Sequence, residues 1–287
     1  MRSGGGGTGS TAMWDVARPQ GPSPLAGVTM AGFRDRRVLP VDLRVIPHPT
    51  VMLALEFGSG STCVEDADGR RHHGSLVCAL GTGSRGTVRV RGEGFELVQV
   101  RLSPVVARAV LGVAPAELDS AVVTLDDLWG REASRLREQM DDASSWGERF
   151  ALADAQLARR AAAGPAVDPE VAWVWRRMVL GCGLVRIEAL ADEVGWTRKR
   201  LWSRFQAQIG LPPKRAANLV RFDHAVHRLV AGDGAAGVAA DSGYADQSHL
   251  HRDVVALSGA TPATVAREPW LAVDEIAWPG SGHPRRA

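Results

Sequence analysis

Ile187-Glu-Ala-Leu-Ala-Asp-Glu-Val-Gly195, running directly into Trp196-Thr-Arg-Lys-Arg-Leu-Trp-Ser-Arg-Phe205, is the stretch on which the fold turns. Ile187, Leu190, Ala191 and Val194 repeat at the i, i+3, i+4, i+7 spacing of one helical face, and Gly195 ends that helix with a turn. Thr197 caps a second helix, because its hydroxyl can accept from a backbone N–H one turn further on. Leu201 and Phe205 lie one turn apart and face inward, while Arg198, Lys199, Trp202 and Ser203 share the outward side. Short helix, glycine turn and basic helix together predict a helix-turn-helix.

The pattern returns downstream. Ala235 to Ser242 reads as a short helix, Gly243 as the turn, Asp246 as the cap and Gln247 to Val255 as the second helix. Between the units, Pro213 opens a helix in which Ala217, Val220, His224, His227 and Leu229 alternate with arginines, a stiff connector that would fix the spacing of the two units. Charge concentrates in the same region. The whole chain carries a formal net charge of only +2, but Arg198, Lys199, Arg200, Arg204, Lys214, Arg215, Arg221 and Arg228 stand against the single acid Asp223. A helix of this diameter fits the major groove, so double-stranded DNA is the partner predicted, with the arginines of the second helix on phosphates. The second unit carries Asp233, Asp241, Asp246 and Asp253 against Arg252 alone, so salt-dependent attraction is expected mainly from the first unit and the connector.

Upstream the texture differs. Residues 1–29, with Gly4 to Gly7 and Pro19, Pro22 and Pro24, hold little apolar surface and read as a disordered tail. From Val38 to Leu102, Val51, Leu53, Leu55 and Phe57 alternate with smaller residues and glycines punctuate the runs, which predicts short antiparallel strands in a barrel or sandwich. Ser103-Pro104 caps a helix ending at Gly112; between Leu125 and Ala163, Leu128, Leu136, Met140, Phe150, Leu152 and Leu157 form apolar stripes suited to a helical hairpin over the strands or to a dimer surface. Gly164-Pro165 and Asp168-Pro169 mark a boundary. The expected division is a tail at 1–29, a sensor or dimerisation domain at 30–165, an all-α module at 168–270 and a C-terminal tail at 271–287.

Gly243-Tyr-Ala-Asp-Gln-Ser-His-Leu-His-Arg252 with Ser258-Gly-Ala-Thr-Pro262, and Ala189 to Gly195 with Leu201, Phe205, Gly210-Leu-Pro-Pro-Lys214 and Arg221-Phe-Asp-His-Ala225, closely resemble the signature of the AraC/XylS family of transcription regulators. The resemblance covers about residues 170–268. It implies base-reading positions at the start of each second helix: Lys199, Trp202 and Ser203, then Gln247, Ser248, His251 and Arg252. Gln247 suits adenine and Arg252 guanine or phosphate. Ser203 stands where the family commonly has arginine, Trp202 where it has a polar residue and Val254 where it has phenylalanine. The N-terminal texture is similar to the family's cupin-like barrels with helices, which sense small-molecule effectors and form homodimers, and the family acts on transcription through RNA polymerase, by habit more as activator than repressor. The fold class expected is α+β, an N-terminal β-rich cupin-like barrel with helices and a C-terminal all-α double helix-turn-helix domain.

Other chemistries find less support. Cys63, Cys78 and Cys182 form no CxxC pair and read as reduced, buried thiols, which leaves neither a zinc ribbon nor a clustered-thiol methyl acceptor. No long apolar run suggests a membrane span and the first thirty residues lack a secretory pattern, so a cytoplasmic location and no membrane partner are expected. The alternative is a cupin-type metal-dependent enzyme fused to a helical accessory domain, for which His48, His72, His73, Glu56, Glu65, Glu93 and Glu96 are the available ligands, without strand spacing to join them. His224 and His227 lie three apart but lack an evident third ligand, so the expectation is no cofactor, no metal and no enzyme. Trp173 and Trp175 are expected in the module's core, Trp173 more fully.

Overall fold

The computed structural model describes residues 8–10, 14–36, 41–84, 86–118 and 121–278. Its strands are β1 (Thr8–Ser10), β2 (Trp14–Ala17), β3 (Val28–Asp35), β4 (Val41–Arg44), β5 (Val51–Phe57), β6 (Ser61–Glu65), β7 (Arg71–His73), β8 (Leu76–Cys78), β9 (Arg89–Glu93), β10 (Glu96–Leu102) and β11 (Val122–Thr124). They form a seven-stranded sheet, β1-β2-β3-β10-β5-β8-β11, and a four-stranded sheet, β4-β9-β6-β7, antiparallel throughout. Val51, Leu53, Leu55 and Phe57 all point into the core, as alternation in β5 predicts. The α+β class holds, but among the described residues no ladder joins the two sheets. The expected barrel is therefore open, because closure depends on long-range pairing that no local alternation encodes.

The first helices are α1 (Pro104–Leu111), α2 (Leu125–Trp129), α3 (Arg131–Asp142) and α4 (Trp146–Ala163). Ser103 caps α1 and Gly112, in the left-handed region at φ +79°, ends it. Of the apolar stripe, Leu136, Met140, Phe150 and Leu157 are buried and Leu128 and Leu152 half-buried. Here α3 and α4 pack on each other and lean on the sheet, which is the covering-hairpin reading. Gly32 in β3 makes this possible: any Cβ there would strike the Trp146 ring. Arg149 lies 4.4 Å from the centre of the Phe57 ring and holds the same corner.

The C-terminal helices are α5 (Pro169–Leu180), α6 (Ile187–Glu193), α7 (Arg198–Ile209), α8 (Pro213–Val230), α9 (Ala235–Asp241), α10 (Gln247–Ser258), α11 (Pro262–Val265) and α12 (Pro269–Ala277). Among the described residues no helix is long and apolar enough to cross a membrane.

Both expected tails depart from their predictions. Residues 1–7, 11–13 and 279–287 lie outside the described residues, but Trp14–Ala17 is a strand and α12 a helix, and they meet. Trp14, Val16, Phe33, Phe95, Val273, Ala277 and Trp278 form a second core, in which Trp14 and Trp270 stack at 4.5 Å and 13°. The N-terminal strand and the C-terminal helix are each too short to carry a periodic signal, and each is stabilised by tertiary burial. The main core runs without interruption from Val28 through α1 and α4 to Val171, Phe205, Phe222 and Leu271, so the seven-stranded sheet and the C-terminal helices share one interior.

Candidate nucleic-acid interface

Each helix-turn-helix is built by the same three devices. Gly195 and Gly243 sit at φ +67° and +68°, a left-handed conformation that costs L side chains strain. The Thr197 hydroxyl accepts from the Arg200 N–H at 3.2 Å, and the Asp246 carboxylate accepts from the His249 N–H at 2.6 Å. Leu201 and Phe205 in α7, and Leu250 and Val254 in α10, fill the interior, and Leu190 and Ala191 do so in α6.

The residues singled out in the sequence fall on the surface. Arg198, Lys199, Arg200, Trp202, Ser203 and Arg204 of α7, Lys214 at the start of α8, and Gln247, Ser248, His251 and Arg252 of α10 are all exposed. Trp202 is 52% exposed, although a tryptophan ordinarily packs. The order of the α5 tryptophans is the reverse of that expected. Trp175 is buried with Val171, Val174 and Met178, whereas Trp173 is half-buried under Arg177.

Charge pairing redistributes the electrostatics. Arg204 makes a bidentate bond to Asp168, 2.8 Å at both nitrogens, and Arg198 lies 3.3 Å from Glu188. Burial works to raise the Asp168 carboxyl, but bonds to Gln208 and Arg204 hold it below the usual range. Every acid of the second unit is engaged: Asp233 and Asp241 bind Arg228 at 2.7 and 2.8 Å, Asp253 binds Arg221 at 3.0 Å, and Asp246 is the cap. Bonds to Asp241 and Asp233 raise the Arg228 guanidinium further. Among the described residues Lys199, Arg200, Lys214 and Arg252 form no ion pair, Arg200 lying over the Trp196 ring at 4.5 Å. The surplus positive charge of the first unit is thus smaller than its residue count, and the second unit is less repulsive to phosphate than its four acids suggest.

A second polar cluster joins α8 to the sheets. His48 Nδ1 lies 2.7 Å from Asp223 Oδ1; His227 Nδ1 lies 2.8 Å from the Asp223 carbonyl and its Nε2 2.9 Å from Asp274 Oδ2; Arg101 donates to Asp274 Oδ1 at 2.7 Å. Burial opposes charge on His227, but the Asp223 and Asp274 carboxylates outweigh it and push the imidazole up to about 9. Burial likewise opposes the Asp274 charge, which Arg101 and His227 overcome, holding the carboxyl down at about 2. The sequence offers His48 and His227 as candidate ligands, with His224 as the apparent neighbour of the latter. Asp274 fell in the expected tail. The i, i+4 spacing of Asp223 and His227 was the one available signal. The enzyme-type ligands do not converge: Glu56 is taken by Thr62, His72 by Asp66, Glu65 by Arg91 and Glu96 by Arg34. The thiols do not cluster either, and burial pushes Cys78 up to about 12 while Cys63 and Cys182 are half-buried.

Residues 190–268 match a family model described as a helix-turn-helix domain. No curated protein matches the chain. Among solved structures, ToxT from Vibrio cholerae O395 is 9% identical with a TM-score of 0.46, over 84% of this chain and 98% of that one. The C-terminal domain of AraT, a response regulator from Geobacillus stearothermophilus, is 15% identical with a TM-score of 0.33, over 35% and 86% of the two chains. The AraC-like transcriptional activator CuxR is 16% identical with a TM-score of 0.26, over 68% and 80%. The family model spans both capped second helices and the motifs around Gly195 and Gly243, and the C-terminal module of this chain contains a helix-turn-helix domain.

Proposed function

We propose that the chain is a sequence-specific, effector-responsive transcription regulator that inserts α7 and α10 into successive major grooves of one duplex. The observation that carries this reading is the exposed polar face on each of two identically capped second helices, both packed on α8. Lys199, Trp202 and Ser203 in one groove, and Gln247, Ser248, His251 and Arg252 in the next, meet base edges, while Arg198, Arg200, Arg204 and Lys214 approach phosphates. The grooves would be about 34 Å apart on one face. Residues 168–270 act as the DNA-binding domain. Residues 30–165 act as the sensor, with a small-molecule effector, a second copy of the chain and RNA polymerase as partners, in the cytoplasm.

The test is selection of bound fragments from a random duplex pool with the purified full-length chain, followed by gel shifts on the selected site. Lys199→Ala and Arg252→Ala should each weaken binding by about 1–3 kcal/mol if they read bases. Unchanged affinity in both variants rejects the site assignment, and failure to enrich any sequence rejects specific binding.

A further inference from the structure

We propose that His48, His227 and Asp274 form a binding site for one divalent first-row transition cation, clamping the β4–β5 loop, α8 and α12 together. The three side chains come from widely separated parts of the chain, yet their donor atoms all lie within 4.8 Å of one another, the one such convergence among the described residues. Asp274 Oδ2 is 2.9 Å from His227 Nε2 and 3.9 Å from His48 Nε2. Ligand bonds of about 2.0–2.1 Å in tetrahedral geometry set donor atoms about 3.3 Å apart, so the observed distances bracket the requirement and need shifts on the order of half an ångström.

The groups behind the ligands carry the argument further. Metal-bound imidazoles are ordinarily held by a hydrogen bond from the second ring nitrogen to a carboxylate or a backbone carbonyl. Asp223 does both: its carboxylate takes His48 Nδ1 at 2.7 Å and its carbonyl takes His227 Nδ1 at 2.8 Å. Both rings are thereby held with Nδ1 outward and Nε2 turned toward Asp274. Arg101 occupies Asp274 Oδ1 at 2.7 Å and leaves Oδ2 as the available oxygen. Pro47 and Pro49 flank His48 and stiffen its backbone, and Asp223 and Asp274 are 4% and 5% exposed. On binding, the cation takes the position of the proton between His227 Nε2 and Asp274 Oδ2, and that proton leaves to solvent.

Two imidazoles and one carboxylate select Zn2+, Co2+ or Ni2+ over the hard cations Mg2+ and Ca2+, which prefer all-oxygen shells. His48 and Arg101 also line a small cleft with Ile46, Thr50, Met52 and Thr82.

The experiment uses the full-length chain, stripped with a chelator and dialysed, then titrated with Zn2+ by calorimetry and with Co2+ by visible absorption. One equivalent should bind. His48→Gln and His227→Gln should each weaken binding by more than about 100-fold, and Asp223→Asn by about 10–100-fold, the usual loss for a group supporting a ligand. His72→Gln, outside the cluster, should leave the affinity unchanged. Circular dichroism checks folding of each variant. X-ray absorption at the zinc edge of the wild-type protein needs no variant and should show an N/O shell with two imidazoles. Uptake well below one equivalent, undiminished affinity in His48→Gln, or a sulfur ligand at the zinc would each overturn the site. None of these readouts involves DNA, so they stand apart from the outcome of the operator selection.

Discussion

Replacing Trp14 by alanine tests the claim that the two ends of the chain close the fold. Trp14 is 1% exposed, stacks on Trp270 at 4.5 Å and meets Phe33 edge-on at 6.5 Å and 86°. Truncating a buried tryptophan costs about 3–5 kcal/mol, a large share of a net stability of about 5–15 kcal/mol. The upper part of that range is expected, because β2 is held on one side by β3 and on the other by β1 alone, and loss of the ring also uncovers α12. Trp270, half-buried, should cost less alone, and the double variant should reveal a coupling of about 0.5–1.5 kcal/mol from the ring pair. Urea unfolding followed by far-UV circular dichroism measures all three variants. A Trp14→Ala loss under about 1 kcal/mol, or strict additivity with Trp270→Ala, would show that strand and helix do not meet as described.

Other perturbations separate backbone from contact effects and packing from recognition. Gly195→Ala meets no neighbouring atom, so it should cost only the left-handed strain of about 1–2 kcal/mol. Gly243→Ala meets only the movable end of the exposed Leu184 side chain, so its loss in a thermal melt should be close to that of Gly195→Ala; a much larger loss would mean that Leu184 is held in place. Trp202→Ala should change stability by no more than about 0.5 kcal/mol, as for an exposed side chain, while weakening operator binding in a gel shift. A large stability loss would mean that Trp202 packs. Asp168→Asn releases Arg204 from a half-exposed pair worth at most about 1 kcal/mol, and if that guanidinium turns to a phosphate the slope of log affinity against log salt should steepen by about 0.9. An unchanged slope would keep Arg204 in a structural role.

The parts legible in the sequence are those written in local chemistry. Thr197, Asp246, Gly195 and Gly243 encode both helix starts and both turns within a few residues, and β5 shows its buried face by alternation. Trp175 was legible too, since Val171, Val174, Trp175 and Met178 follow i, i+3, i+4, i+7, a phase that excludes Trp173 from the interior. Trp14-Asp-Val-Ala17 was not, because a four-residue strand beside glycine and proline segments acquires its stability from β3 and Trp270 rather than from its own composition. Open sheets in place of a barrel, and Asp274 as partner to His227, depend on tertiary pairing across long sequence separations. Counting charges misjudged both units for a related reason: a tally of arginines and aspartates does not reveal that Arg221 and Arg228 are committed to acids of the second unit.

Those commitments make α8 the element through which the parts of the molecule act on one another. On one flank, Asp223 and His227 bond to His48 and Asp274, and Arg215 reaches Ser84 at 3.0 Å, so the helix is fastened to the sheet region and to α12. On another, Arg221 and Arg228 hold Asp253, Asp233 and Asp241, which fixes α9 and α10 to the same rod. The far end of α7 is pinned as well: Gly210, left-handed at φ +96°, lies so close to Pro115 that a Cβ would come within 3.0 Å of its carbonyl. Because α7 and α10 both pack on α8, this rod sets the separation of the two second helices.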